Sequence, residues 1–179
     1  MITRRWLAGG GLLGLLTALT FFGAPPGVAD DGGADGPAEP PKVELVLDVS
    51  GSMRARDIDG RSRMAAAQQA LNEVVDALPA ETQLGIRVLG SQHRFPGSPK
   101  ALGCRDTRQL FPVGPMDKVE AKAAIATLRP TGWTPIGLAL RAAARDLGTG
   151  ETTRRIVLIT DGEDTCSPPD PCEVARTLA

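Results

Sequence analysis

The sequence predicts an α/β fold, a doubly wound and mainly parallel sheet with helices on both faces. Three observations point to it. Apolar runs of strand length alternate along the chain with segments of helical periodicity. The run from Arg155 to Thr160 is apolar almost throughout, as a strand buried on both faces should be. Lastly, the polar residues with chemical potential sit where apolar runs end, and open α/β sheets bind ligands at the carboxyl ends of their strands.

The first strand covers about Val43 to Val49 and carries Asp48 at its end. The following loop contains Asp57-Ile58-Asp59-Gly60, which opens like a calcium loop. It lacks the later ligands and the glutamate of an EF-hand, so it reads as a solvated turn. A helix is predicted from Ser62 to Leu78, because Met64, Ala67, Leu71, Val74, Val75 and Leu78 recur at helical spacing and Pro79 stops it. Leu84 to Leu89 is a second strand. A Gly- and Pro-rich connection then runs from 90 to 105, and Thr107 to Val113 forms a third strand.

Asp117 and Glu120 offer a capping box for a short helix that ends at Leu128-Arg129-Pro130. Thr134 is expected to cap the next helix, with Pro135 in its first turn, Ile136, Leu140, Ala143 and Leu147 on its apolar face, and Gly148 as its stop. The strand at 155–160 follows, and residues after Cys172 could start a further helix.

Residues 1–29 read as an export signal. Arg4 and Arg5 form the charged region, Leu12 to Phe22 the apolar region, and Gly27-Val28-Ala29 a small-x-small cleavage site. The apolar run from Leu7 to Phe22 is short for a spanning helix, which needs about 20 residues, so no membrane span is expected after cleavage. An uncleaved anchor is the alternative. Thr3-Arg4-Arg5-Trp6-Leu7 fits a twin-arginine signal loosely. The expected location is secreted, cell-surface or periplasmic. Residues 30–41, rich in Asp, Gly, Ala, Glu and Pro, form a flexible linker, and the domain occupies 42–179. With aromatics at 3% and no Tyr, the core must be aliphatic. A net charge of −1 and the lack of a basic stripe with interleaved aromatics argue against a nucleic-acid partner.

Three segments carry the candidate chemistry. Asp48-Val49-Ser50-Gly51-Ser52 brings a carboxylate and two hydroxyls onto one tight turn, a set of hard oxygen donors that suits a small divalent cation. Thr131-Gly132-Trp133-Thr134-Pro135-Ile136-Gly137 places a threonine at a helix start. Ile156-Val157-Leu158-Ile159-Thr160-Asp161-Gly162 places an aspartate after a buried strand. Separately these are a helix cap, a proline-led helix and a turn. Together, Asp48, Ser50, Ser52, Thr134 and Asp161 resemble, in chain order, the metal-ion-dependent adhesion site of von Willebrand factor type A domains.

That resemblance implies that Ser50 and Ser52 bind the ion directly and Thr134 directly or through water. Asp48 and Asp161 would act mostly through water. The implied ion is Mg²⁺, with Mn²⁺ or Ca²⁺ as alternatives, and the implied partner is a protein supplying an Asp or Glu to the metal. The chain would then be an exported adhesion-type binding module and no enzyme. A metal-assisted hydrolase using Asp48 or Ser50 is the first rival, but no general base lies near either residue and the nucleophile-elbow and P-loop patterns are missing. A subunit of a larger chelatase- or transport-like complex is the second. Type A domains resemble a six-stranded sheet, whereas this chain supplies four strands. The last two strand–helix units are therefore expected to be missing and the domain incomplete, leaving 155–160 as an exposed sheet edge.

Cys104, Cys166 and Cys172 suit an oxidising compartment. A Cys166–Cys172 bridge would close a small ring after Asp161 and is favoured; Cys104–Cys166 competes, since the connection holding Cys104 lies on the same rim. Met53 reads as packing and His93, the one histidine, as a surface residue. Glu163 and Asp164 match no ligand position and read as a solvated loop. Trp133 divides between a partner contact and the core.

Overall fold

The structure, a computed structural model, describes residues 39–179, so the export signal and most of the linker lie outside the described residues. Four strands form one sheet in the order β3-β2-β1-β4. They are β1 (Lys42–Asp48), β2 (Gln83–Leu89), β3 (Thr107–Pro115) and β4 (Arg154–Ile159). β1 pairs in parallel with β2 and β4, while β3 runs antiparallel along β2 with irregular register near Ile86. The fold is thus the open, mainly parallel α/β sheet that the alternation of elements predicts, with the edge strand β3 antiparallel. Among the described residues five α-helices accompany it: α1 (Arg63–Ala77), α2 (Lys100–Gly103), α3 (Lys118–Ala126), α4 (Ile136–Leu147) and α5 (Pro171–Leu178).

The strand residues divide by parity between two cores. Leu45, Leu47, Ile86 and Val88 pack under α1 and α3, against Met64, Leu71, Val75 and Ile125. Val46 and Leu89 face the other way, onto Ile136, Ala139, Leu140 and Ala143 of α4 and Val174 of α5. Coverage of both faces is why β1 is buried from Val43 to its end. Met53 lies in the first core, 2% exposed, as a packing residue should.

Helix starts follow the local chemistry. The Ser62 side chain accepts from the Ala65 N–H and opens α1. Asp117 accepts from Val119 and Glu120 at the start of α3, and Asp170 does the same for Glu173 at α5. α4 departs from expectation. Pro135 takes the cap position and the helix has no cap from Thr134; the Ile136 N–H instead reaches the Asp164 carboxylate at 2.9 Å, from the loop after β4.

The favoured cysteine pairing is also corrected. Cys104 and Cys166 form the disulfide, and Cys172 is free and exposed. Cys172 is the second residue of α5, whose start is fixed by the Asp170 cap, whereas Cys104 follows α2 on the rim where the loop after β4 arrives. Among the described residues, no helix is long and apolar enough to cross a membrane.

Candidate metal centre

Parallel pairing sets the ends of β1 and β4 side by side, with Leu47 opposite Ile159. Asp48 and Thr160 therefore meet, and Thr160 Oγ1 donates to Asp48 Oδ2 at 2.7 Å. Asp48 Oδ1 accepts from the Ser50 N–H, also at 2.7 Å, and this contact tightens the turn after β1. Asp48 is fully buried. Burial pushes its carboxyl above the ordinary aspartate range; the hydrogen bonds from Ser50 and Thr160 pull against that, and the nearby Asp161 carboxylate adds to the rise.

Past the turn, the Oγ atoms of Ser50 and Ser52 lie 2.9 Å apart. Both residues line a cavity of about 230 Å³ that also takes in Thr134, Phe95, Trp133 and Glu163. The donors are oxygens throughout, and such a set fits a hard cation. Among the described residues, no group of three or more His, Cys, Asp or Glu offers an alternative.

Asp161 is placed differently. It does not line this cavity; its Oδ2 meets Arg63 Nη1 at 3.0 Å. Arg63, the first residue of α1, also grips Asp57, with Nε 3.0 Å from both carboxylate oxygens. The guanidinium holds Asp57 below its ordinary pKa, and the two carboxylates push Arg63 up. The structure thus brings Ser50, Ser52 and Thr134 to one cavity over a buried Asp48, and joins Asp161 to α1.

Three loops build the rim, and they cross at Gly132. Its carbonyl accepts from the Gly51 N–H at 2.9 Å, and the neighbouring Thr131 bonds both Val49 and Phe95. Gly132 bridges Ser50 on one side and Arg94 on the other. A Cβ there would lie 2.4 Å from the His93 carbonyl, so the crossing requires glycine. Asp106, buried behind the rim, accepts from the N–H groups of Gln92 and His93 at 2.6 and 2.8 Å. His93 is half-buried.

Arg63, Asp106 and Asp164 are not visible as site residues in the sequence. Arg63 meets a partner 98 positions away, and a loop carboxylate gives no sign of which distant N–H it will cap. Trp133 is half-buried and lines the cavity.

Residues 43–163 match the sequence profile of the von Willebrand factor type A domain. An uncharacterized Bacillus subtilis protein, YwmC, is 31% identical over 166 residues, covering 92% of this chain and 72% of its own. Among solved structures, a von Willebrand factor type A protein from Catenulispora acidiphila superposes with a TM-score of 0.59 at 22% identity, over 78% of this chain and 30% of its own. The pilus adhesin SpaC from Lactobacillus rhamnosus GG superposes with a TM-score of 0.57 at 20% identity, over 73% of this chain and 16% of its own. At these identities the two structures are alike in fold.

Proposed function

Because the chain belongs to the von Willebrand factor type A domain family, whose members often mediate protein–protein interaction, we propose that it is an exported, metal-dependent protein-binding module with no catalytic step of its own. The observation that carries this reading is the pair of serine hydroxyls 2.9 Å apart on a cavity shared with Thr134. Ser50 and Ser52 would hold the ion directly, Thr134 would approach it from the α4 side, and Asp48 would balance its charge through water, joined by Asp161 where it gives up its Arg63 contact. A bound Mg²⁺, or Mn²⁺ or Ca²⁺ in its place, supplies an electrophilic position that suits the Asp or Glu of a protein partner.

The chain's own residues prepare that position. Asp48 fixes the serine turn through the Ser50 N–H, and Thr160 orients Asp48 in turn. The Thr165 hydroxyl accepts from the Thr134 N–H at 3.0 Å and holds the threonine at the cavity wall. An adhesin among the structural neighbours supports the binding role, and the Arg4–Ala29 signal pattern supports export.

Titration calorimetry of Mg²⁺ into the full chain, beside Ser52→Ala, tests the reading. Ser52 is exposed, so its truncation leaves the fold intact by circular dichroism. Saturable binding that weakens at least tenfold in the variant is expected. A flat isotherm from folded wild type would refute it.

A further inference from the structure

The cavity mouth has a second half that the metal donors do not explain. Phe95 packs edge-on against Trp133, with ring centroids 4.6 Å apart at 68°. Both line the cavity beside Ser50 and Ser52. Phe95 is 41% exposed, and of the exposed large apolar side chains among the described residues it is the one that lines this cavity. The pair is held rigidly: the Phe95 N–H bonds Thr131 at 2.9 Å, and the Cys104–Cys166 disulfide ties the loop beyond Phe95 to the loop after β4.

Two cations lie near the cavity without lining it. Lys100 Nζ sits 5.9 Å from the Trp133 ring centroid. Arg54 bonds the carbonyls of Gly51, Pro130 and Thr131, which are neutral. Neither cation meets a carboxylate within 4 Å among the described residues. The carboxylates nearby are mostly committed elsewhere: Asp161 and Asp57 to Arg63, Asp164 to the N–H groups of Ile136 and Cys166, and Asp106 to Gln92 and His93. Glu163 is the one acid lining the cavity.

We infer that the partner is an acidic protein segment whose metal-directed carboxylate is next to an apolar side chain, with that side chain resting on Phe95 and Trp133 and a further acidic residue meeting Lys100 or Arg54. This rests on the metal-binding reading and adds to it the chemistry of the partner. The shelf discriminates by burying apolar area, and the two cations select an acidic neighbourhood and speed encounter.

Trp6 and Trp133 are the two tryptophans. The test therefore uses the full chain with Trp6→Phe, so that emission reports Trp133 alone. With saturating Mg²⁺, three synthetic peptides are titrated: acetyl-Gly-Asp-Leu-Glu-Gly-amide, the same peptide with Gly for Leu, and the same peptide with Asn and Gln for its two acids. The leucine peptide is expected to bind about tenfold more tightly than the glycine peptide, and the amide peptide not at all. Phe95→Ala should bring the leucine peptide down to the glycine peptide while Mg²⁺ binding remains saturable. Equal affinity of the first two peptides, or no binding of any peptide to protein that titrates Mg²⁺, overturns the shelf and leaves the metal site standing. A flat Mg²⁺ isotherm overturns both.

Discussion

Glu44 lies in the middle of β1, fully buried, and neither of its oxygens meets an N–H or O–H donor. The group it faces is the Asp146 carboxylate of α4, which is itself held by Arg87, with Nε–Oδ2 at 2.6 Å. Burial first and Asp146 second push the Glu44 carboxyl from an ordinary 4.5 to about 8, against the pull of Arg87. A protonated Glu44 can share its proton with Asp146, which removes the conflict between two acceptors. The folded protein thus keeps a proton that the unfolded chain releases near pH 4.5. The stability from this group is complete below that pH and is lost as the pH rises toward 8. At about 1.4 kcal/mol per pH unit the full loss is on the order of 5 kcal/mol, a large share of a domain's usual stability. Glu44→Gln keeps the shape, cannot ionise, and offers an amide N–H to Asp146. Urea unfolding at about pH 5, 7 and 9 should show the two proteins close at the acid end and the variant more stable by several kcal/mol at the alkaline end. Asp48 titrates in both proteins, so the difference between them isolates Glu44. Curves that stay parallel across the range would refute the reasoning.

Four further outcomes follow from the packing. Gly85 pairs with Glu44 across β1 and β2, and a Cβ there would fall 1.8 Å from Glu44 Oε2; Gly85→Ala should cost at least about 2 kcal/mol in denaturant midpoint terms, less when combined with Glu44→Ala. The Cys104–Cys166 bridge spans 62 residues, and Cys104→Ser with Cys166→Ser should lower stability by about 4 kcal/mol. Peptide mapping of unreduced protein should find Cys172 alone open to alkylation. Asp164→Ala removes the acceptor for the first turn of α4 and should lower the thermal midpoint by an amount matching about 1–2 kcal/mol, measured by circular dichroism.

The elements were legible because their signals are local. Periodicity and the Pro79 stop marked α1, while the apolar run 155–160 marked β4. What escaped depends on contacts between distant segments. The cap on α4 comes from Asp164 because Pro135 occupies the cap position and the loop after β4 passes beside it; Thr134 already looked sufficient in the sequence. Topology already placed Cys104 on the rim near Cys166, but a Gly- and Pro-rich connection does not announce which of the two competing pairings comes within bonding distance. Arg63 reads as an ordinary first-turn residue, and only the fold sets it between Asp57 and Asp161. The five candidate metal residues stood out by motif spacing, but the separation of Asp161 from the hydroxyl cavity did not.

The crossing at Gly132 has a consequence for how the rim moves. The segments around residues 50 and 94 each bridge Gly132, so the strip at 131–132 cannot open without releasing both. The amides of Gly51, Phe95 and Thr131 should therefore exchange with solvent deuterium as a single cooperative unit. A rim of that kind has had most of its ordering entropy removed during folding, before any ligand arrives. Binding there would be governed by dissociation and would leave the backbone almost unmoved.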